Sequence, residues 1–184
     1  VDGYADQLNR EGVDAIHTVA DGEEFNHDIY TQAVTAMADA HEPDAVLMAN
    51  TVNGLDFAPA VAGQLDVPLV TDAVDFDASG TPEITREQYG GKVETTVDIE
   101  ADQFALTIRP AEWAKAEGTG DADIAAFDFD LDESAVRSTV TGFEEVGSGD
   151  VDISEADILV SVGRGIEEED NLPLVEELAD ALGA

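Results

Sequence analysis

The sequence predicts an α/β fold, in which a domain with a parallel sheet and a β-hairpin extension is followed by the first strand and helix of a second α/β domain. Short apolar runs alternate with amphipathic segments in the first half, longer β-rich runs follow, and a strand–glycine–helix pattern lies near the end. Wholly apolar strands that alternate with helices are typical of a parallel sheet covered on both faces.

The first elements follow from the spacing of apolar residues. Residues 3–11 indicate the end of a helix, and residues 13–19 indicate a strand. Either Asn26 or Asp28 can cap the next helix, which must end before Pro43 because the residue preceding a proline avoids the helical conformation. The apolar face of this helix is formed by Ile29, Ala33, Met37 and Ala40.

The next strand, helix and strand repeat the alternation. Residues 45–48 are an apolar run, and we expect the polar stretch 50–54 to be a loop. We expect Pro59 in the first turn of the following helix, because a missing N–H is tolerated only there. The apolar face of that helix consists of Phe57, Val61 and Leu65. Residues 67–71 predict the third strand.

The second half contains longer β-rich runs. Only two residues separate the runs 91–100 and 103–109, which predicts an antiparallel hairpin. Strict alternation of apolar and acidic residues over 127–132 predicts a strand with one face in water. The glycines and serine of residues 144–150 are typical of a domain boundary.

The charge balance bounds the function. The chain has 7 basic and 43 acidic residues and a net charge of −36, which repels phosphate backbones and excludes nucleic acid as an expected partner. The acids are spread along the whole chain, and we interpret them as an adaptation to molar salt, where the Debye length falls to about 3 Å. No spaced calcium-binding loop occurs. The chain contains no cysteine, which is simplest to explain by a reducing cytoplasm.

Several classes of site are not expected. No apolar run approaches the roughly 18–20 residues of a membrane span, and the first residues do not have the pattern of a secretion signal. The three histidines (His17, His27 and His41) lie on different predicted elements, so ordinary surface or partly buried histidines are favoured over a metal site. No serine lies in a glycine-flanked elbow, and no two acids stand out as an acid–base pair. We therefore assign no catalytic residue and expect no stand-alone catalyst.

The clearest candidate site lies in residues 156–165. Its apolar run ends in Gly163, Arg164 and Gly165, and an amphipathic segment follows. Ligands lie at the carboxyl ends of strands in α/β sheets, glycines admit close approach, and helix N-termini favour anions. Arg164 is one of only seven cations, so it indicates an anionic cofactor; alternatively it pairs with the acids of residues 167–170.

Five segments of the chain, in the correct order, resemble motifs of the electron transfer flavoprotein α-subunit family. They include a Val-Thr-Asp strand end, an Arg…Tyr-x-Gly pattern, a Thr-x-Arg-Pro pattern and the Gly-Arg-Gly turn. In chain order these segments are 49–72, Arg86 with 89–91, 107–110, 152–166 and 171–179. The resemblance covers essentially the whole chain. The family often has a glycine where this chain has Val162, which puts a backbone contact at that position in doubt.

The resemblance implies a fold, a cofactor and partners. Residues 1–147 would form an adenine-nucleotide-hydrolase-like (Rossmann-like) domain without the family's leading strand, and residues 148–184 a linker and the truncated start of the FAD-binding domain. FAD would contact Arg164, with Gly163 and Gly165 beside it. The α subunit pairs with a β subunit, and the heterodimer passes electrons from dehydrogenases to a membrane quinone reductase. This chain would be mainly the scaffold and the β-subunit-binding domain.

Other interpretations remain open at this point. A free-standing adenine-nucleotide-binding module of universal-stress type would use residues 50–54 for phosphate, although they contain no lysine and no glycine-rich cradle, which favours a structural loop. A pure interaction domain is a third possibility. Tyr89 and Arg109 either hold the β extension to the core or contact the partner subunit. Trp113 either packs near a strand end or faces an interface or the flavin.

Overall fold

A computed structural model describes residues 2–20, 24–110, 112–143 and 156–183 of the chain. Its residues divide into two units between Val140 and Thr141. In chain order the first unit contains α1 (Asp2–Leu8), β1 (Ala15–Thr18), α2 (His27–His41), β2 (Ala45–Ala49), α3 (Val52–Leu65), β3 (Leu69–Asp77), β4 (Glu83–Gln88), β5 (Val93–Asp98), β6 (Phe104–Ile108) and β7 (Asp123–Ala126). In the second unit, two short 3₁₀ turns precede α4 (Leu172–Leu182).

The predicted α/β fold class is confirmed. Five strands form a mixed sheet in the order β2-β6-β3-β4-β5, and β1 pairs with β7 in a separate parallel ladder. β6 lies between β2 and β3 and is parallel to both. Its residues Phe104 and Leu106 belong to one apolar cluster, whereas Ala105 belongs to another that includes Phe57 and Val61 of α3. β6 is therefore buried on both faces, as a central parallel strand must be.

Helix α2 has the caps that the sequence predicts. The Asn26 side chain accepts hydrogen bonds from the backbone N–H groups of Asp28 and Ile29, at 3.0 and 3.3 Å. The helix ends at His41, and Glu42 takes a left-handed conformation with φ of 46° before Pro43. Ala40 is exposed, so the predicted apolar face does not extend to the end of the helix.

Helix α3 corrects two expectations. Thr51 caps the helix, and residues 52–54 form its first turn, so the predicted loop over 50–54 is wrong for those residues. Pro59 lies inside the helix and not in its first turn. Pro59 is exposed, so its ring points away from the core, and the flanking residues Ala58 and Val61 are fully buried. Packing of the buried face stabilises the helix despite the missing N–H.

The predicted hairpin between residues 91–100 and 103–109 is wrong. β5 pairs antiparallel with β4, and β6 pairs with β2 and β3 instead. The two-residue link lacks the glycine that a tight hairpin turn prefers, and the apolar β6 gains more burial in the centre of the sheet than at its edge. The antiparallel extension is real, but it is formed by the consecutive strands β3, β4 and β5. β4 was not predicted because Ile84 is its only apolar residue.

Residues 127–132 do not form the predicted strand. The backbone N–H of Phe127 donates to the carbonyl of Thr18 at 2.9 Å, and no ladder continues beyond that bond in the described residues. The alternation is nevertheless visible, because Phe127, Phe129 and Leu131 are half-buried while the intervening aspartates are exposed. Gln32 of α2 then exchanges two hydrogen bonds with the backbone of Asp132, so the segment lies on a helix rather than in a sheet.

In the second unit, the described residues 156–163 form no strand, contrary to expectation. A strand requires a neighbour to pair with, and no other strand lies among the described residues of this unit. The helix is confirmed: Asn171 precedes α4, and Pro173 is its second residue. Leu174, Leu178 and Leu182 of its apolar face are about half exposed or more. The predicted boundary at residues 144–150 lies outside the described residues.

Candidate functional site

Polar side chains meet at the carboxyl ends of three parallel strands. Asn50 follows β2, Asp72 lies in β3, and Thr107 lies near the end of β6. The Asn50 Nδ2 group donates to Asp72 Oδ1 at 2.8 Å. The Thr107 hydroxyl donates to Asn50 Oδ1 at 2.7 Å and accepts from the Asp72 backbone N–H at 2.9 Å. The polar groups of these three residues therefore form hydrogen bonds with one another at this edge of the sheet.

Arg109 joins this network to the antiparallel extension. Its Nε and Nη2 groups donate to the two Asp72 carboxylate oxygens at 2.9 and 2.6 Å, and its Nη1 group donates to Glu87 Oε2 of β4 at 2.6 Å. The hydrogen bonds from Arg109 lower the pKa of Asp72 below its usual value. The same bonds raise the pKa of Arg109, so it stays charged. Arg109 thus holds the extension to the core, as one of the two sequence interpretations predicts.

The backbone at Asp72 has an unusual conformation. Asp72 has a φ of 64°, and the pairing of β3 changes register between Val70 and Ala73 on its β6 side. The left-handed conformation is uncommon outside glycine, although aspartate tolerates it better than most residues. It occurs where β3 leaves the parallel sheet and enters the extension. The hydrogen bonds around Asp72 offset part of the cost of this conformation.

The start of α3 leaves little room for a phosphate. The backbone N–H of Gly54 donates to the Thr51 hydroxyl at 3.1 Å, so an N–H group of the first turn is already paired. A Cβ atom at Gly54 would lie 1.8 Å from the carbonyl oxygen of Ala49. Gly54 is therefore required for close packing of the helix on β2, and its presence does not indicate a ligand.

The Gly163–Gly165 segment forms a short turn. Arg164 begins a 3₁₀ helix that ends at Ile166, and Gly163 precedes it in an extended conformation. The Arg164 side chain is exposed and has no ion pair with the acids of residues 167–170 among the described contacts. No atom lies within 4 Å of an added Cβ at either glycine. The Arg164 guanidinium and the backbone at both glycines are therefore accessible to an anionic group.

The three histidines lie in two different places in the first unit. His17 and His41 have ring centroids 4.7 Å apart and Phe127 lies 6.0 Å from both, a cluster that sequence spacing could not reveal. His27 lies elsewhere, with its Nδ1 atom 3.1 Å from Asp56 Oδ2. Among the described residues, no group of three or more histidines and acids is arranged to hold a metal ion.

Trp113 lies half-buried at the edge of the sheet. It lines an apolar cavity of about 390 Å³ together with Leu47, Ala49 and Pro110. This position is compatible with both interpretations of Trp113, packing near a strand end and facing an interface. Across the described part of the chain, every helix is too short or too polar to cross a membrane.

Comparison with known proteins identifies the family. Residues 1–132 match the family model described as "Electron transfer flavoprotein domain", and residues 152–184 match "Electron transfer flavoprotein FAD-binding domain". The chain is 34% identical over its whole length to electron transfer flavoprotein subunit alpha of Syntrophomonas wolfei, and 34% identical to that of Methylophilus methylotrophus. The Bacillus subtilis protein of the same name is 29% identical over the whole chain.

These relatives are longer than the chain. The alignments cover 59% and 58% of the first two relatives, so the chain spans somewhat less than two thirds of their length. The two family models match in the order that the sequence motifs predict, and the first alone covers most of the chain. The chain therefore belongs to the electron transfer flavoprotein α-subunit family.

Proposed function

We propose that this chain is part of an FAD-containing electron carrier, an αβ heterodimer that passes electrons from dehydrogenases to a membrane quinone reductase. The observation that carries the proposal is the match of residues 152–184 to the FAD-binding domain model, directly after a first domain of the same family. The bound FAD would supply the redox chemistry, and the polypeptide would bind and orient it. We place the heterodimer in the cytoplasm.

Arg164 is the residue of this chain that would contact the cofactor. Its guanidinium is exposed and can donate hydrogen bonds to an anionic oxygen, and Gly163 and Gly165 leave the backbone open to close approach. The rest of the FAD site would lie in residues beyond this chain. We assign no catalytic residue, because the electron transfer belongs to the flavin.

The first domain would act as the scaffold and as the surface that binds the β subunit. We divide the chain into a first domain over residues 1–147 and a linker with the start of the FAD-binding domain over 148–184. The scaffold role is supported by the network of Asn50, Asp72 and Thr107, in which polar groups at the usual ligand-binding edge bond to one another.

The test uses the full-length α subunit, co-expressed with the β subunit of the same organism. We expect stoichiometric FAD in the wild-type heterodimer. Arg164→Ala should increase the Kd for FAD about 10- to 100-fold, because a charge-assisted hydrogen bond is worth about 1.5–3 kcal/mol, and Arg164→Lys should retain part of that affinity. Lys115→Ala removes an exposed cation of the first domain and serves as the control. A wild-type heterodimer without flavin would contradict the proposal.

Calorimetry of this chain alone with ATP and AMP separates the alternative function. Micromolar binding of either nucleotide would favour a module of universal-stress type over the electron carrier. We expect no binding, because residues 50–54 contain no lysine and the Gly54 N–H is already bonded to the Thr51 hydroxyl. The purified chain should also be colourless, and stoichiometric FAD on it would show that residues beyond it are not needed.

We also propose that the parent protein works in molar salt. The net charge of −36 would strongly destabilise a compact fold in dilute buffer. Few cations offset it: Arg109 pairs with Asp72 and Glu87, and Arg137 pairs with Asp28.

A further inference from the structure

Strand β5 lies at the edge of the five-stranded sheet. It pairs with β4 in one unbroken antiparallel register, and among the described residues no strand pairs with its other side. Natural proteins usually block such an edge with prolines, bulges or charged residues, especially lysines. β5 contains no proline, lysine or bulge, and it is six residues long. Its outer side is therefore open to one more strand.

The backbone of β5 determines which of its residues face outwards. The N–H group of Ile99 donates to the carbonyl of Pro82 at 2.9 Å, in the register that the β4–β5 ladder continues. Hydrogen-bonded and non-hydrogen-bonded pairs alternate along an antiparallel ladder. The odd-numbered residues of β5 therefore direct their backbone groups towards β4. The N–H and C=O groups of Glu94, Thr96 and Asp98 point towards the open side.

The charges along this edge are unbalanced. Each acid of β5 lies directly opposite an acid of β4, Glu94 opposite Glu87 and Asp98 opposite Glu83. Like charges in such a position destabilise a sheet. Arg109 pairs with Glu87, whereas the described ion pairs give neither acid of β5 a cation. A cation from another molecule would therefore stabilise the open edge.

Lys92 gives this edge a cation at its opposite end. It directly precedes β5 and is one of only two lysines in the chain. Its side chain is exposed and forms no ion pair among the described contacts. The open edge thus begins at a cation and ends at an acid, Asp98. Two copies of this edge, aligned antiparallel, place the cation of each copy beside the acid of the other.

One alignment of the two edges pairs most of β5 without opposing like charges. Outward-facing residues must lie opposite outward-facing residues, so the two-fold axis passes through a residue and not between residues. An axis at Glu94 would place that acid opposite its own copy, and an axis at Thr96 would place it opposite Asp98. An axis at Thr95 instead places Lys92 opposite Asp98 at both ends of the paired segment.

The same alignment matches the apolar side chains. Val93 of each copy lies opposite Val97 of the other, on the face where Val97 packs against the apolar core of the sheet. Val93 is 42% exposed in the single chain, so the second copy covers apolar surface there. Thr95 lies opposite its own copy at the axis. Cross-strand pairs of β-branched residues stabilise antiparallel sheets.

We propose that a second copy of this chain binds at this edge, with its β5 antiparallel to β5 of the first copy and a two-fold axis at Thr95. The two five-stranded sheets become one continuous sheet, and each copy contributes the same surface. About seven residues of each copy take part, a small contact beside the roughly 1,200–2,000 Å² of a stable complex. The dimer is therefore weak, and it forms in molar salt, where the repulsion between two chains of charge −36 is screened.

Cross-linking tests the alignment, because the chain contains no cysteine of its own. In a non-hydrogen-bonded pair the two Cα atoms lie about 4.5 Å apart, a distance that a disulfide can span. We expect Thr95→Cys to form a covalent dimer in molar salt with oxidised glutathione at least tenfold faster than Thr96→Cys, whose two copies would lie about 7–8 Å apart. Thr96 is the more exposed residue, so random collision would favour Thr96→Cys. Equal rates, or a faster Thr96→Cys, would overturn the proposal.

Charge reversal tests the contact between Lys92 and Asp98. Lys92→Glu and Lys115→Glu change the net charge equally and replace exposed side chains, but only Lys92 lies at the proposed contact. In sedimentation velocity in molar salt, we expect Lys92→Glu to raise the Kd of the dimer at least threefold and Lys115→Glu to leave it unchanged. Adding Asp98→Lys to Lys92→Glu inverts the pair and should restore the wild-type Kd.

Three results of sedimentation would overturn the proposal. A wild-type chain that stays monomeric in molar salt at every protein concentration would exclude the dimer. Equal effects of the two lysine variants would exclude this contact. Loss of the dimer on addition of an equimolar β subunit would show that the β subunit, and not a second copy, occupies the edge.

Discussion

At the residue scale, Gly54 allows the first turn of α3 to pack closely against the end of β2, because glycine has no side chain. Glycine usually destabilises a helix by about 0.5–1 kcal/mol relative to alanine, because it loses more backbone freedom on folding. Gly54 reverses that rule, because any Cβ would collide with the Ala49 carbonyl at 1.8 Å. The same helix contains Gly63, where no atom lies within 4 Å of an added Cβ. Substitution of Gly63 therefore reports on helix propensity alone, whereas substitution of Gly54 also reports on the packing of α3 against β2.

We expect Gly54→Ala to lower the free energy of unfolding by about 1–3 kcal/mol, because backbone must move to admit the methyl group. Gly63→Ala should raise it by about 0.5–1 kcal/mol. Urea unfolding of both variants in molar salt provides the measurement. Equal effects of the two substitutions would show that α3 does not pack on β2 as described.

Asp72 gives the fold a specific dependence on acid. Its pKa is lower in the folded state than in the unfolded chain, chiefly because Arg109 donates to it. The pair therefore stabilises the fold fully above about pH 5, and that stabilisation is lost progressively as the pH falls below the unfolded-state value of about 3.9 and through the lower folded-state value. We expect Asp72→Asn to reduce the loss of stability on acidification. The exposed Asp98→Asn is the control, and an equal acid slope in both variants would contradict the prediction.

At the scale of elements, α3 contains a proline in its interior, although the sequence analysis predicts that Pro59 lies in the first turn. A proline in a helix interior destabilises the helix by about 3 kcal/mol. Its fixed φ angle also restricts the unfolded chain, which stabilises the folded state by up to about 1 kcal/mol. We therefore expect Pro59→Ala to stabilise the fold by about 2 kcal/mol, because the exposed ring leaves no cavity. Pro68→Ala, just before β3, should slightly destabilise it. Thermal unfolding measures both, and destabilisation by Pro59→Ala would refute this reasoning.

Local signals predicted most elements of the first unit, and long-range pairing explains the failures. The cap at Asn26 and the stop before Pro43 depend only on neighbouring residues, so α2 was predicted nearly to its bounds. β6 follows β5 in sequence, yet it pairs with β2 and β3, a choice made by burial in the completed sheet. The network of Asn50, Asp72 and Arg109 likewise joins residues distant in sequence. The motifs that contain Asp72 and Arg109 were visible in the sequence, but their contact was not.

At the scale of the whole molecule, charge dominates the behaviour. With 43 acids against 7 bases, self-repulsion is screened only at high ionic strength. We expect the melting temperature and the near-ultraviolet circular dichroism to fall on dialysis from molar salt into dilute buffer, and to recover when salt is restored. Unchanged values in dilute buffer would remove the interpretation of the charge as an adaptation to salt.

Among the described residues, β1 and β2 each pair with another strand on one side only, and these open edges bear on how the chain can be handled. Unpaired parallel edges are templates on which a second molecule can add a strand, the usual first step of aggregation. In dilute buffer, the charge of −36 keeps copies of the chain apart. Molar salt compacts the fold but shortens the range of that repulsion to about 3 Å. Molar salt therefore stabilises the fold of each molecule but gives the least protection against aggregation through the open strand edges.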